Sequence, residues 1–260
     1  MNDLISSLLL AIIQGLTEWL PISSSGHLVL FEKILNYSGS LTFDVALHFG
    51  TLMAVFVYFG EDIVDIVKEI IRGNFKSDNG KLGLLLIIGT IPAAIVGFLF
   101  QKYFEAAFTS LAVVTVGFAI TSVILLIASL DFKIPSFKKK FGWKNALFIG
   151  CAQALALFPG ISRSGTTIAG GLLAGLKEKD AMKFSFLLSI PAIFGAAILE
   201  IGNKRIPAEM IWATLVSFLV GLLTIYLLFN YVLSSRKNLR WFALYTLILA
   251  VTIGFYLLVF

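Results

Sequence analysis

Pro21-Ile-Ser-Ser-Ser-Gly-His27 and Pro159-Gly-Ile-Ser-Arg-Ser-Gly165 are two similar polar stretches within a chain that is otherwise strongly apolar. Each places a proline, a Ser-x-Ser core and a glycine where an apolar helix would otherwise continue. Ionisable groups are costly in hydrocarbon, and those found there usually serve a function. Because Glu18, His27 and Arg163 lie in or beside these stretches, we take the two stretches, named motif 1 (21–27) and motif 2 (159–165), as the candidate site.

The composition indicates a chain that lies in a membrane. Of its 260 residues, 58% are hydrophobic and 13% are charged, whereas about a quarter of the residues in soluble proteins are charged. Six apolar runs are each about as long as a bilayer core is thick. They cover roughly 43–60, 82–101, 106–130, 184–201, 208–233 and 241–260. The sequence therefore predicts a multi-pass membrane protein with about six transmembrane helices.

The basic residues are clustered, and the clusters predict which connections face the cytoplasm. Most of the 20 lysines and arginines fall in the segments 61–81, 131–144, 177–183 and 236–240. The positive-inside rule places these segments in the cytoplasm. We attribute the net charge of +5 to this topology, and we expect no nucleic acid partner.

This orientation is self-consistent only if the short apolar runs beside each motif leave the membrane on the side where they entered. Two re-entrant helical hairpins are therefore predicted, over 4–37 around motif 1 and over 145–176 around motif 2. Similar motifs in halves of opposite orientation are typical of an inverted-topology repeat with a site at the repeat interface. The predicted fold is an all-α integral membrane protein, a single domain of residues 1–260 with halves at about 1–130 and 145–260.

Motif 2 has the residue types of a phosphate-binding turn. Its glycines allow close approach of the backbone to an anion, and a helix starting near Gly165 would point N–H groups at the anion. Ser162, Ser164 and Thr167 could donate hydrogen bonds to a diphosphate, and Arg163 adds a planar charged group suited to phosphate oxygens. The alternative is close packing between helices, which small residues also favour in membranes.

Gln14 and Glu18 lie one helical turn apart, so both side chains face the same side of a helix. Two oxygen donors at this spacing suit a divalent cation such as Mg²⁺ or Ca²⁺. The alternative is that Glu18 is a paired or protonated residue between packed helices. Asp44 and His48, in a later apolar span, are candidates for lining the same cavity or for orienting each other.

The serines of motif 1 allow two interpretations. Ser23, Ser24 and Ser25 could cap the following helix, which is a common use of serine. One of them could instead be a nucleophile, provided that a base lies within reach. His27 is the nearest base in the sequence. Ser23 and Ser25 are also expected to bind the substrate diphosphate.

The sequence contains two longer signatures, Gln14-x-x-x-Glu18 followed by Trp-Leu-Pro-Ile-Ser-Ser-Ser-Gly-His27, and Pro159-Gly-x-Ser-Arg-Ser-x-x-Thr167. They resemble the signatures of the bacitracin-resistance type of undecaprenyl-diphosphate phosphatase. The resemblance covers essentially the whole chain. It implies hydrolysis of undecaprenyl diphosphate to the monophosphate carrier of cell-wall synthesis, bacitracin resistance, a divalent-metal requirement, and a plasma-membrane site that opens to the external face.

By position, the resemblance assigns catalytic roles to Glu18, Ser24, His27 and Arg163, with Arg163 holding the diphosphate. Gln14 stands where many members carry glutamate, which removes one charged metal ligand. Phosphoserine formation at Ser24, activated by His27, and direct attack by water both remain open, as does a homodimer. A transporter that moves a lipid phosphate across the bilayer is the alternative function, because inverted repeats also build transporters.

Overall fold

A computed structural model describes residues 3–37, 39–130, 141–201, 208–232 and 234–260. These residues form helices joined by short turns and contain no strand. The α-helices are α1 (Asp3–Thr17), α2 (Ser24–Leu35), α3 (Leu41–Tyr58), α4 (Gly60–Ile71), α5 (Asp78–Phe108), α6 (Leu111–Ser129), α7 (Trp143–Leu155), α8 (Arg163–Leu173), α9 (Glu178–Ile201), α10 (Ala208–Leu227) and α11 (Leu239–Val259). The predicted all-α class is confirmed.

Six stretches of these helices are long and apolar enough to cross a bilayer, as predicted. They are Leu41–Tyr58, Asp78–Phe108, Leu111–Ser129, Glu178–Ile198, Met210–Val232 and Arg236–Val259. In the apolar windows of α5 and α11 only 22% of the residues are buried within the protein. The remaining apolar side chains face outward, where a lipid environment would accommodate them.

Serine side chains cap the N-termini of several helices. The Oγ atom accepts a hydrogen bond from the backbone N–H three residues later, which satisfies one of the free donors at a helix start. This cap occurs at Ser40 (3.1 Å), Ser77 (3.0 Å), Ser110 (3.4 Å) and Ser162 (3.0 Å).

Two predicted connections are helical in the structure. The break expected near 101–106 is wrong, because α5 continues to Phe108 with only a kink at Phe100. Gln101 Nε2 donates to Glu105 Oε1 at 2.7 Å, so the polar residues lie one turn apart on the helix surface. Within the predicted loop 61–81, α4 forms a helix whose isoleucines Ile66 and Ile70 pack at Gly83 of α5. Residues 131–140 of the predicted loop 131–144 lie outside the described residues.

The helices beside the two motifs are short, and each packs against a longer helix. α1, α2, α7 and α8 contain 15, 12, 13 and 11 residues, or about 16–23 Å at 1.5 Å per residue. A bilayer core of about 30 Å exceeds this length. α1 packs on α10, α2 on α6, α7 on α5, and α8 on α9. Short helix pairs packed against longer helices agree with re-entrant hairpins, which stay a prediction together with the inverted repeat.

Three of the four basic segments are linked by ion pairs. Lys183 Nζ lies 2.7 Å from Asp62 Oδ1, which connects the start of α9 to α4. Arg236 Nε lies 3.5 Å from Glu178 Oε1, which connects the start of α9 to the segment before α11. The segments 61–81, 177–183 and 236–240 therefore meet at the same end of the protein.

Candidate active site

The two motifs meet in the interior of the protein. Ser164 Oγ, at the start of α8, donates a hydrogen bond of 2.9 Å to the carbonyl oxygen of Leu20 in the turn between α1 and α2. A Cβ atom built on Gly26 would lie 2.9 Å from the Cα atom of Gly160, so the two backbones are in contact there. Motifs that are more than 130 residues apart in the sequence thus form one cluster.

Glu18 is at the centre of this cluster. Its Oε1 accepts a hydrogen bond of 2.5 Å from Arg163 Nη2. Its Oε2 accepts from Gln14 Nε2 at 2.9 Å and from Ser24 Oγ at 2.6 Å. The Nε2 atom of His48 lies 3.5 Å from the same oxygen. With its side chain 5% exposed, the carboxylate is held by donors from both motifs and from α3.

Arg163 is the first residue of α8, and several parts of the protein fix its position. Its Nη1 donates to the carbonyl oxygen of Ser185 in α9 at 3.3 Å. Its guanidinium carbon lies 5.2 Å from the ring centroid of Trp19, a fully buried residue between Glu18 and motif 1. A guanidinium over an indole face is attracted by the ring quadrupole. Trp19 thus supports the charged group that sequence reasoning singled out.

The other polar residues of motif 2 bond within the protein. Ser162 Oγ caps α8 and lies 3.3 Å from Ser164 Oγ. Thr167 Oγ1 donates to the carbonyl oxygen of Arg163 at 2.7 Å and lies 2.6 Å from Ser185 Oγ. These hydroxyls shape the turn that presents Arg163. Their predicted contact with a diphosphate stays a prediction.

Motif 1 contains a strained turn. Ser23 has φ of +69°, a left-handed region that residues other than glycine rarely adopt. Its Oγ accepts from the backbone N–H of Gly26 at 3.3 Å and lies 3.2 Å from Ser25 Oγ. Ser23 therefore serves as the helix cap, and Ser24, the first residue of α2, directs its hydroxyl to Glu18.

His27 does not form the predicted pair with Ser24. Its Nδ1–H donates to the carbonyl oxygen of Ser23 at 2.7 Å, and the hydroxyl of Tyr245 donates to its Nε2 at 2.8 Å. Both ring nitrogens therefore have a hydrogen-bond partner. The imidazole extends from α2 toward α6 and α11. The base beside Ser24 is the carboxylate of Glu18.

Asp44 and His48 are separated by one turn of α3 and differ in their surroundings. His48 Nδ1–H donates to the backbone carbonyl of Asp44 at 2.8 Å, which directs Nε2 toward Glu18. The carboxyl group of Asp44 instead interacts with Glu32 of α2. The structure thus places the imidazole in the cluster and the Asp44 carboxyl group beside another acid.

The donor set for a divalent cation is small. Among the described residues, no three His, Cys, Asp or Glu side chains are grouped to hold a metal ion. Gln14 Oε1 is buried and has no hydrogen-bond partner in the described part of the chain, while its Nε2 contacts Glu18. Mg²⁺ is commonly bound by one or two carboxylates together with substrate phosphates and waters. Gln14 and Glu18 fit an ion that takes its other ligands from a diphosphate and water.

Thr121 and Tyr245 belong to this cluster although sequence reasoning did not select them. Thr121 Oγ1, on α6, donates to the carbonyl oxygen of Gly160 at 2.9 Å and accepts from the backbone N–H of Ser162 at 2.9 Å. One hydroxyl thus holds both sides of the motif 2 turn. The only signal in the sequence is a polar hydroxyl within a long apolar run.

Comparisons with known proteins give one family for nearly the whole chain. Residues 7–252 match the family described as bacitracin resistance protein BacA. The chain is 42% identical to an undecaprenyl-diphosphatase of Thermosipho melanesiensis over 94% of this chain and 96% of the relative. It is 40% identical to proteins of the same name from Korarchaeum cryptofilum, over 96% and 98% of the two chains, and Rubrobacter xylanophilus, over 99% and 100%.

Proposed function

The chain belongs to the BacA family, and we propose that it hydrolyses undecaprenyl diphosphate to undecaprenyl monophosphate and inorganic phosphate. The observation that carries this proposal is the contact of Glu18 with both Arg163 and Ser24. A cation, a carboxylate and a hydroxyl converge there, which are the groups that phosphoryl transfer requires. The relatives are named as diphosphatases, so a transporter is not the favoured alternative.

Arg163 would bind the diphosphate by exchanging its partner. The guanidinium presents five N–H donors, and it can form paired hydrogen bonds either with a phosphate or with a carboxylate. A diphosphate would therefore compete with Glu18 for Arg163. Once Arg163 turns to the phosphate, Glu18 keeps its hydrogen bond of 2.6 Å with Ser24.

Ser24 would then act as the nucleophile. Its Oγ attacks the terminal phosphorus while its proton passes to Glu18 Oε2, 2.6 Å away. The bond between that phosphorus and the bridging oxygen breaks, the bridging oxygen takes the proton from Glu18, and undecaprenyl monophosphate leaves. Water then attacks the phosphoserine and gives a proton to Glu18, which passes it to Ser24 Oγ as inorganic phosphate is released. Direct attack by a water that Glu18 activates gives the same products.

A divalent cation, Mg²⁺ or Ca²⁺, would be held by Glu18 and by Gln14 Oε1 and would neutralise charge on the diphosphate. Gln14 supports this role because its amide nitrogen already contacts Glu18, which leaves the amide oxygen for another partner. Ser23, Ser25, Ser162, Ser164 and Thr167 would bind the diphosphate from the turns that they shape, with Ser25 the least buried of them.

The protein is a multi-pass membrane protein, and we place it in the plasma membrane with its site open to the external face. The basic segments that meet through Lys183 and Arg236 would face the cytoplasm, as the positive-inside rule requires. The hairpins 4–37 and 145–176 would then enter from opposite faces as an inverted repeat. The polyprenyl tail would lie among lipids against the apolar outer helices. By regenerating the monophosphate carrier, the protein would confer bacitracin resistance, alone or as a homodimer.

The test is phosphate release from undecaprenyl diphosphate by protein purified in detergent with Mg²⁺. We expect release by the wild-type protein, and a loss of at least about a hundredfold in Arg163→Ala and Glu18→Ala, since each removes a charged group from the site. Lys183→Ala is the matched control, because it removes a cation whose ion-pair partner, Asp62 of α4, belongs to neither motif.

Two results would contradict the proposal. Absence of release by folded wild-type protein, combined with movement of labelled lipid across reconstituted vesicles, would favour a transporter. Full activity of Arg163→Ala would exclude the assigned site. Rapid quenching with substrate labelled on the terminal phosphate separates the two routes, since only nucleophilic attack by Ser24 leaves label on the protein.

A further inference from the structure

Three groups form a continuous hydrogen-bonded series from α11 to the strained turn of motif 1. The Tyr245 hydroxyl donates to His27 Nε2 at 2.8 Å, and His27 Nδ1–H donates to the Ser23 carbonyl oxygen at 2.7 Å. The backbone N–H of His27 also donates to this carbonyl oxygen, at 3.2 Å. Since a carbonyl oxygen only accepts, Nδ1 carries the ring proton and Nε2 accepts from the tyrosine.

The ring of His27 is in contact with two aromatic rings in addition to the hydrogen bonds at both nitrogens. Tyr245 stacks on it with ring planes 5° apart and centroids 5.7 Å apart. Phe118 of α6 meets it edge to face at 5.3 Å. Ser122 Oγ of α6 donates to the Ala243 carbonyl oxygen of α11 at 2.8 Å, so the helix that carries Tyr245 is itself anchored. At 2% exposure, His27 is fully enclosed.

The series ends at the backbone that sets the direction of Ser24. Ser23 has φ of +69°, and such conformations persist only where the surroundings hold them. The next residue is Ser24, whose Oγ reaches Glu18 at 2.6 Å. A relaxed Ser23 would rotate the first turn of α2 and move this hydroxyl away from the carboxylate.

We propose that Tyr245 is a positioning residue that acts through His27 to hold the Ser23 turn and thereby align the Ser24 hydroxyl with Glu18. This inference rests on the proposed function, because it takes Ser24 as the reacting group. It assigns a role in the reaction to α11, which contributes no residue to the contacts around Glu18 in the described part of the chain.

The test is a double-mutant cycle of Tyr245→Phe and His27→Ala in phosphate release. Tyr245→Phe removes one neutral hydrogen bond and keeps the stacked ring, so we expect kcat to fall about fivefold while KM stays within about twofold. In the His27→Ala background, Tyr245→Phe should change kcat no further, because the residue through which it acts is gone. Tyr256→Phe on the same helix is the matched control and should match the wild type.

A second readout is independent of activity. The chain has two histidines, His27 and His48, so the ring-nitrogen NMR signals of histidine-labelled protein are few enough to assign. Tyr245→Phe should shift the signals of His27 and leave those of His48 in place.

The outcomes separate this inference from the proposed function. An equal fivefold loss in both His27 backgrounds, unchanged kcat in Tyr245→Phe, or unchanged His27 signals would each overturn the positioning role. The wild-type protein could release no phosphate while Tyr245→Phe still shifts the His27 signals. In that case the proposed function fails, and the role of Tyr245 in the reaction fails with it. The hydrogen-bonded series itself would be supported.

Discussion

Replacement of Thr121 by valine tests how the motif 2 turn is held. Thr121 is 1% exposed, and its hydroxyl bonds to two backbone groups, the carbonyl oxygen of Gly160 and the N–H of Ser162. Valine keeps the shape of the side chain and leaves both groups buried without this partner. A buried polar group without a partner costs about 1–3 kcal/mol. Since the turn can relax in part, we expect a loss of about 2–4 kcal/mol in the free energy of unfolding.

Activity should fall more steeply than stability, because Arg163 directly follows Ser162. We expect kcat to fall at least about tenfold, since small misplacements of a binding group are costly in catalysis. The apparent melting temperature in detergent should drop by about 5–10 °C. Thr121→Ser restores the hydroxyl and should recover most of both quantities.

Thr115→Val is the matched control on the same helix. Thr115 Oγ1 donates only to the carbonyl oxygen of Leu111, one turn earlier in α6, so its loss should change stability by less than about 1 kcal/mol. Equal melting temperatures and equal kcat for Thr121→Val and Thr115→Val would refute the reasoning that one hydroxyl holds the turn.

Three further changes have definite expected outcomes. In Gly26→Ala the new Cβ would lie 2.7 Å from Phe118 Cζ and 2.9 Å from Gly160 Cα, so phosphate release should fall at least about tenfold. Gly195→Ala is the control and should remain active, because its new Cβ would have no atom of the described residues within 4 Å. Lys183→Ala removes a half-exposed ion pair with Asp62 and should cost at most about 1 kcal/mol in thermal unfolding, with kcat within about twofold of wild type. Excess chelator should abolish phosphate release and added Mg²⁺ should restore it, and activity that persists in chelator would exclude the metal requirement.

The spans and the meeting of the motifs could be predicted because each depends on a property that acts along the sequence. Bilayer thickness fixes the length of an apolar helix, which located the six spans. The cost of charge in hydrocarbon marked Glu18 and Arg163, and the structure places the two side chains in contact.

The contacts of Thr121 and Tyr245 could not be predicted in the same way. Hydroxyl residues in apolar helices commonly bond to a carbonyl oxygen of their own helix, as Thr115 and Thr246 do. Residue type therefore does not distinguish a hydroxyl that bonds locally from one that holds a distant turn. The difference comes from the packing of α6 against motif 2 and of α11 against α2, which the pattern along the chain does not contain.

Closeness along the sequence does not show that His27 contacts Ser24, because the two side chains extend in different directions. The two residues lie one turn apart in α2, but the imidazole extends toward Tyr245 while the serine hydroxyl extends toward Glu18. The charges of 61–81 indicate a cytoplasmic connection, whereas the isoleucines of α4, which recur at helical intervals, indicate an amphipathic helix within it.

The most direct test of a single site built from both motifs is phosphate release by Glu18→Gln, Arg163→Lys and the double variant, each at matched folded concentration. If the two residues act as one unit, the double variant will be as active as the less active of the two single variants, because either change already disables the shared site. Losses that multiply in the double variant would show that the motifs contribute independently, and would contradict the shared site.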